Sequence, residues 1–165
     1  MRIEIFIKLA QFIILLLVQA LVFNHVRLFN CAIPLVYVYF ALDFKSGYPQ
    51  WAILLWCFAL GLSVDIFSNT QGVAAASMTF IGLLQPYVFK LFTTRDNAED
   101  LVPNMRTIGF RKYFLYSLML VFIYCLTLFT LETFHFFNWQ QWATSVGGST
   151  LLTWIIIMAL ENIRN

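Results

Sequence analysis

The sequence predicts an all-α protein that crosses a membrane six times. Of its 165 residues, 61% are apolar and only 11% are charged, and the mean hydropathy is +0.80. A soluble domain usually carries about 25% charged residues. The apolar residues fall into six segments, each close to the about 20 residues that a helix needs to cross the hydrocarbon core. No segment alternates like a barrel strand, so helices are favoured over a β-barrel.

The six segments are predicted to form a single integral membrane domain over residues 1–165. The first begins with charged residues, as a signal peptide does, but its apolar run is too long and lacks a small-residue cleavage site. We therefore expect it to be retained as a helix. Pro34 lies near the start of the second and weakest segment, where a missing amide is best tolerated, and Pro86 predicts a kink in the fourth. The segments are predicted at residues 5–23, 28–44, 51–67, 72–92, 113–131 and 142–160.

The basic residues predict the orientation of these segments. Six crossings place nine of the ten Lys and Arg residues on the side that holds both termini, and Arg27 alone on the other. Because Lys and Arg accumulate in cytoplasmic loops, both termini are predicted in the cytoplasm. Residues 93–111 then form a cytoplasmic loop, which either sets the topology or contacts anionic headgroups or a partner. The nine residues are Arg2, Lys8, Lys45, Lys90, Arg95, Arg106, Arg111, Lys112 and Arg164.

Patterns that indicate catalysis or metal binding are scarce in the sequence. The only histidines, His25 and His135, fall near the predicted outer interface. The cysteines lie in apolar stretches without C-x-x-C spacing: Cys31, Cys57 and Cys125. The sequence has no H-E-x-x-H, G-x-S-x-G, P-loop or Gly-rich dinucleotide turn. We expect no enzymatic activity, cofactor or metal, and a net charge of +2 gives no support for nucleic-acid binding.

Asp65 is the most unusual residue of the predicted membrane domain. It lies about 21 Å from the inner end of the third segment, in a core about 30 Å thick. A carboxylate at that depth is unfavourable unless it is paired, solvated or protonated, which makes Asp65 a candidate functional residue. The structural alternative is that residues 68–71 end the helix. Asp65 then caps amides of the next helix or lies in the outer headgroups.

Small and amide residues suggest which segments pack together. Gly61 lies one turn before Asp65 on the same face, and further small residues open the fourth segment and occupy the outer half of the sixth. Because small residues let helices approach closely, the outer ends of the third, fourth and sixth segments are predicted to pack together; a ligand pocket between them is the alternative. Gln11 and Gln19 share a helix face that points into the bundle or toward a partner. The helix-packing candidates are Ala74, Ala76, Ser77, Gly147 and Gly148.

The residues around Asp65 resemble the signature of the rod shape-determining protein MreD family. In residues 61–76 a Gly-Leu pair precedes an Asp at the end of one helix. After a short turn, a Gly opens the next helix and small residues follow. The turn at residues 68–71 differs from the family pattern, since it lacks the Gly and Pro often found there. The matching residues are Gly61, Leu62, Asp65, Gly72 and Ala75.

This resemblance implies a non-enzymatic inner-membrane component of the bacterial cell-shape and elongation machinery. Family members associate with the bitopic protein MreC. Through it they connect to MreB filaments and to the peptidoglycan-synthesising complex of RodA and its penicillin-binding partner. Their fold is similar to the substrate-binding subunits of energy-coupling-factor vitamin transporters. A homodimer is also compatible with the sequence.

The fold similarity suggests an alternative function, the substrate-binding membrane subunit of a vitamin transporter. Such a subunit needs an outward-facing pocket and an alanine-rich face on the first helix for the energising module. The first segment has only Ala10 and Ala20, which disfavours this alternative. An intramembrane enzyme is disfavoured further because no acid–base pair is visible. The candidate pocket residues are Trp142, His135, Tyr124 and Glu132.

Overall fold

The computed structural model describes residues 2–21, 33–45, 47–93, 102–133 and 139–164, and this part of the chain contains helices, turns and irregular segments without a strand. The all-α class is thereby confirmed. A 3₁₀ turn, Val36–Val38, precedes the second α-helix. The α-helices are α1 (Arg2–Leu21), α2 (Tyr39–Leu42), α3 (Gln50–Ser68), α4 (Val73–Phe92), α5 (Met105–Ile108), α6 (Phe110–Glu132) and α7 (Trp139–Arg164).

Among the described residues, four helices, α3, α4, α6 and α7, are long and apolar enough to cross a membrane, and they indicate a membrane protein. They overlap the predicted segments at 51–67, 72–92, 113–131 and 142–160. In α1 the apolar part, Ile5–Leu21, is shorter. Residues 94–101 of the loop predicted at 93–111 lie outside the described residues, and the described residues 102–111 hold α5 and the start of α6.

The described part of the second predicted segment, 28–44, is not the continuous helix that the sequence predicts. Residues 33–35 are non-helical, and the 3₁₀ turn and the four-residue α2 follow. Pro34 contributes to this irregularity, because it lacks an amide and disfavours the helical conformation of Ile33. We call residues 33–44 the inserted segment. From Leu35 to Phe44 it is buried inside the protein.

Gln19 of α1 supplies hydrogen bonds to the irregular backbone of the inserted segment. Its Oε1 accepts from the amide of Val36 at 3.2 Å, and its Nε2 donates to the carbonyl of Pro34 at 3.1 Å. The side chain is 2% exposed. Since buried backbone groups need hydrogen-bond partners, the side-chain amide of Gln19 substitutes for the missing helical bonds.

Three further helices complete the pairing of the inserted segment. On α7, Oγ of Ser149 accepts from the amide of Ile33 at 3.1 Å, and Oγ1 of Thr153 accepts from the amide of Leu35 at 3.0 Å. From α4, Nε2 of Gln85 donates to the carbonyl of Phe44 at 3.1 Å. From α6, the Tyr116 hydroxyl donates to the carbonyl of Leu42 at 3.4 Å. The polar side chains of four helices thus converge on one strip of backbone.

The inserted segment runs parallel to α7 and antiparallel to α1. It bonds Ser149 near its beginning and Arg164 near its end, two positions about 22 Å apart along α7 at helical rise. On α1 the order is reversed, because Gln19 meets Pro34 and Lys8 meets Asp43.

The later helices follow the same alternation of direction. Helices α3 and α4 are joined by a short turn and pack along each other, α4 packs on α6, and α6 packs on α7. Contacts at two levels give the directions. Gly61 lies against Ala75, and Gly82 lies against Cys57, so α3 and α4 are antiparallel. Helix α6 meets Leu42 through Tyr116, and it meets Tyr37 through Tyr124. It therefore runs opposite to the inserted segment and to α7.

Candidate functional site

The α3–α4 junction holds Asp65, and the structure places its carboxylate against the first turn of α4. The amide of Ala74 donates to Oδ1 at 3.0 Å, and the amide of Ala75 donates to Oδ2 at 2.8 Å. The Thr70 hydroxyl donates to Oδ1 as well. Asp65 is 4% exposed. The carboxylate therefore caps the N-terminus of α4, where free amides and the helix dipole favour negative charge.

Gly61 lets α3 and α4 approach each other beside this cap. A Cβ on Gly61 would lie 2.6 Å from Cα of Ala75 and 2.7 Å from the carbonyl oxygen of Ala74. Both are backbone atoms, so a side-chain rotation could not relieve the overlap. Any larger residue at position 61 must push the two helices apart and lengthen the bonds to Asp65.

The turn between α3 and α4 needs two residues with positive φ. Asn69 ends α3 in the left-handed conformation at φ 55°, and Gly72 precedes α4 at φ 78°. The amide of Thr70 donates to the carbonyl of Asp65 at 3.1 Å, as in helix endings that use a left-handed residue. Asn is, after Gly, a residue that adopts this conformation readily. The turn thus achieves the required geometry without the Gly and Pro of the family pattern.

A shallow apolar groove of about 540 Å³ lies on the outside of the same helix pair. Gly72, Ala75, Ala76 and Thr79 line its α4 side, and Leu62 lies on its α3 side. Leu62 and Ala76 are therefore on the surface of the pair. Ala74 and Ser77 are buried within the bundle.

The glycines of α7 lie apart from this junction. A Cβ on Gly147 would meet nothing within 4 Å, and Gly148 is half-buried. Their neighbour Ser149 bonds the inserted segment instead. The predicted close packing of the sixth segment on the third and fourth is thus replaced by packing on α6 and the inserted segment.

The two glutamines of α1 have different surroundings. Gln19 points into the bundle and pairs the inserted segment, whereas Gln11 is half-buried and lines a groove between α1 and α7. The shared face predicted from their spacing therefore turns toward the protein at one end and toward a surface groove at the other.

A cluster of charged groups joins α1, the inserted segment and α7 at the end of the bundle opposite the α3–α4 junction. Nζ of Lys8 on α1 lies 3.0 Å from Oδ2 of Asp43, and Nη1 of Arg164 on α7 lies 2.5 Å from Oδ1. Arg164 also donates to the Tyr39 hydroxyl at 2.8 Å, which donates to Oε2 of Glu161 at 2.7 Å. We call these five residues the charged cluster.

The sequence analysis used Lys8 and Arg164 only for orientation and did not propose a site around them, although a signal for the charged cluster exists. Lys8 lies within the first apolar segment and Asp43 within the second. Ionisable side chains at membrane depth usually pair with one another. Because alternating segments bring residues 8 and 43 to the same end, the pairing of Lys8 with Asp43 follows from the topology. Helix α7 then contributes Arg164 and Glu161.

The residues considered for a vitamin pocket are not brought together where the structure describes them. Tyr124 is fully buried, and its hydroxyl pairs with that of Tyr37. Glu132 is exposed at the end of α6, Trp142 is half-buried on α7, and His135 lies outside the described residues, as do His25 and Cys31. Cys57 and Cys125 are buried free thiols.

The side chains that the structure describes include no group of three or more His, Cys, Asp or Glu placed to hold a metal ion. What the α3–α4 junction can do is hold two helices rigidly together. What the charged cluster can do is fix α1, the inserted segment and α7 relative to one another. Comparison of the chain with family models, with curated proteins and with solved structures gave no match.

Proposed function

We propose that this chain is a non-enzymatic scaffold of the machinery that elongates rod-shaped bacterial cells. In this proposal it resides in the inner membrane, binds an MreC-like bitopic protein, and helps couple MreB filaments to the RodA complex that synthesises peptidoglycan. The proposal rests on the resemblance of residues 61–76 to the MreD family signature.

The observation that carries the proposal is that the signature residues form one structural unit. Gly61 allows the close approach of α3 and α4, Asp65 caps α4, and Gly72 supplies the positive φ of the turn. A chance match to the signature would not require the matching residues to contact one another. Here they form one junction, which supports the resemblance. Leu62 and Ala75 border the groove beside it.

The proposal includes six crossings, with both termini in the cytoplasm and a bundle like that of energy-coupling-factor substrate-binding subunits. It takes α1 and the inserted segment as the first two crossings. Support comes from the alternating directions of the segments and from the about 22 Å that the inserted segment travels along α7. Its buried and paired backbone satisfies the condition for irregular structure at membrane depth. The excess of basic residues on one side supports the orientation.

Depletion of the protein in its own rod-shaped host tests the function. We expect cells to become round and the MreC-like protein to lose its association with the elongation complex, as followed by microscopy and by co-purification. Normal rods with an intact complex after depletion would contradict the proposal. In parallel, thermal unfolding of the purified protein with a panel of vitamins should show no shift, and a specific stabilisation would instead support a transporter subunit.

A further inference from the structure

A groove of about 520 Å³ separates α1 from α7 and opens on the outer surface of the bundle. Exposed Ile7, Ala10 and Ile14 dominate the α1 wall, to which Gln11 also contributes, and exposed Leu160 belongs to the α7 wall. The floor is the inserted segment, through Tyr39 and Asp43. The groove therefore has mostly apolar sides and a polar floor at one end.

Arg164 gives the groove a hydrogen-bonding group at that end. Its side chain is 41% exposed. Nη1 makes the bonds to Asp43 and Tyr39, while Nε and Nη2 make none with the described part of the chain. A guanidinium with unused donors at the mouth of an apolar groove matches the oxygens of a phosphate.

Exposure distinguishes Arg164 from the other charged groups of the cluster, in which two cations are accompanied by two carboxylates. Glu161 is fully buried and bonds Tyr39. Side-chain exposure is 41% for Arg164, against 12% for Lys8 and 9% for Asp43. Arg164 is therefore the most exposed charged group at this end of the groove.

The shape of the groove suits an amphiphile. From Ile7 to Leu15 the α1 wall is about 12 Å long at helical rise. An extended acyl chain lying along this wall places its headgroup at the end that holds Arg164.

We propose that the α1–α7 groove binds one phospholipid from the leaflet in which Arg164 lies. An acyl chain lies along Ile7, Ala10 and Ile14, and the phosphate accepts hydrogen bonds from Nε and Nη2 of Arg164. The bound lipid covers the part of the inserted segment that the helices leave accessible. This inference does not depend on the proposed function, because it concerns the purified protein alone.

Native mass spectrometry of the delipidated protein, titrated with phosphatidylglycerol, tests the site. We expect one tightly bound lipid per protein. Arg164→Gln should weaken its binding at least fivefold by removing the phosphate contact. Ala10→Phe should do the same by filling the groove while leaving the charged cluster intact. Diacylglycerol, which has the chains but lacks the phosphate, should bind at least fivefold more weakly to the unchanged protein.

The matched control is Lys112→Gln, which removes an exposed cation of α6 that does not line the groove and should leave binding unchanged. Equal loss in this control would indicate a diffuse attraction to basic residues and would overturn the proposal. Unchanged binding in Ala10→Phe would overturn it as well. If Arg164→Gln does not fold, Ala10→Phe decides alone, because its charges are those of the original chain.

Discussion

Asp65 shows how one carboxylate can be stable in a protein that is mostly apolar. Its oxygens accept two backbone amides and one hydroxyl, so the charge is solvated by the protein instead of by water. Gly72, at the N-cap position of α4, has no side chain that could cap the helix. Asp65, seven residues earlier, supplies the cap from the preceding helix.

This arrangement predicts different effects for two substitutions of Asp65. Asp65→Ala leaves the buried amides of Ala74 and Ala75 without acceptors and should lower the free energy of unfolding by about 3 kcal/mol. Asp65→Asn keeps one acceptor oxygen and should lower it by about 1 kcal/mol. Denaturant unfolding in mild detergent measures both. Equal losses in the two variants would contradict the capping role.

Gly61 offers a second prediction at the scale of one residue. Gly61→Ala forces a Cβ into the backbone of α4 and should lower the free energy of unfolding by about 2 kcal/mol. Gly147→Ala is the matched control, since the new methyl group meets open space. It should be neutral or stabilise the helix by about 0.5 kcal/mol. If both variants unfold alike, the close approach of α3 and α4 at Gly61 is not a source of stability.

The inserted segment is the element that distinguishes this bundle from a set of regular helices. Its amides and carbonyls find partners on α1, α4, α6 and α7. Each partner is a polar side chain within an otherwise apolar helix. These polar residues therefore specify where the segment lies, and they explain why the buried surfaces of the helices are not uniformly apolar.

Thr153 allows this account to be tested without changing side-chain shape. Thr153→Val leaves the buried amide of Leu35 without an acceptor and should lower the free energy of unfolding by about 2 kcal/mol. Thr144→Val is the control, because exposed Thr144 bonds only carbonyls of its own helix. It should change stability by less than about 0.5 kcal/mol. Thermal unfolding of both variants in the same detergent measures the two changes. Equal changes in stability would contradict the role of Thr153.

Regular elements and irregular ones differ in how far the sequence predicts them. The segments at 51–67, 72–92, 113–131 and 142–160 follow from continuous apolar runs, because a helix pairs its own backbone. The irregular course of residues 33–44 depends on hydrogen-bond partners far along the chain: Gln85 donates to Phe44 across 41 positions, and Thr153 accepts from Leu35 across 118. A local pattern does not contain that information. Glycine contacts follow the same logic: Gly61 and Gly147 look alike in sequence and differ only in what lies opposite them.

At the scale of the whole molecule, the alternating directions of the segments and the positions of the charged residues support the same topology. Lys8, Asp43 and Arg164 meet at one end of the bundle. Asp65 caps the start of α4 at the opposite end. The charged cluster holds α1, the inserted segment and α7 together at the end that the proposed orientation assigns to the cytoplasm. Breaking it by substitution of Asp43 leaves two cations close together.

Cysteine labelling distinguishes six crossings from the four of α3, α4, α6 and α7. In a variant without the native cysteines, His25→Cys should react with an impermeant reagent added outside the cell. Lys112→Cys should react only after permeabilisation. If α1 and the inserted segment do not cross, both positions lie on the same side. Protection of position 25 in intact cells, with labelling after permeabilisation, would contradict the six-crossing topology.

In-cell photo-crosslinking tests the central claim, a scaffold that binds a single-span partner, most directly. A photoreactive residue is placed at one lipid-facing position on each of three helices, Ile13 of α1, Leu55 of α3 and Phe122 of α6, which are 47%, 61% and 47% exposed. The account predicts that one of these faces forms an adduct with one MreC-like bitopic protein, while the others do not. Three faces that crosslink only to lipid, in a protein that accumulates normally in growing rods, would contradict it.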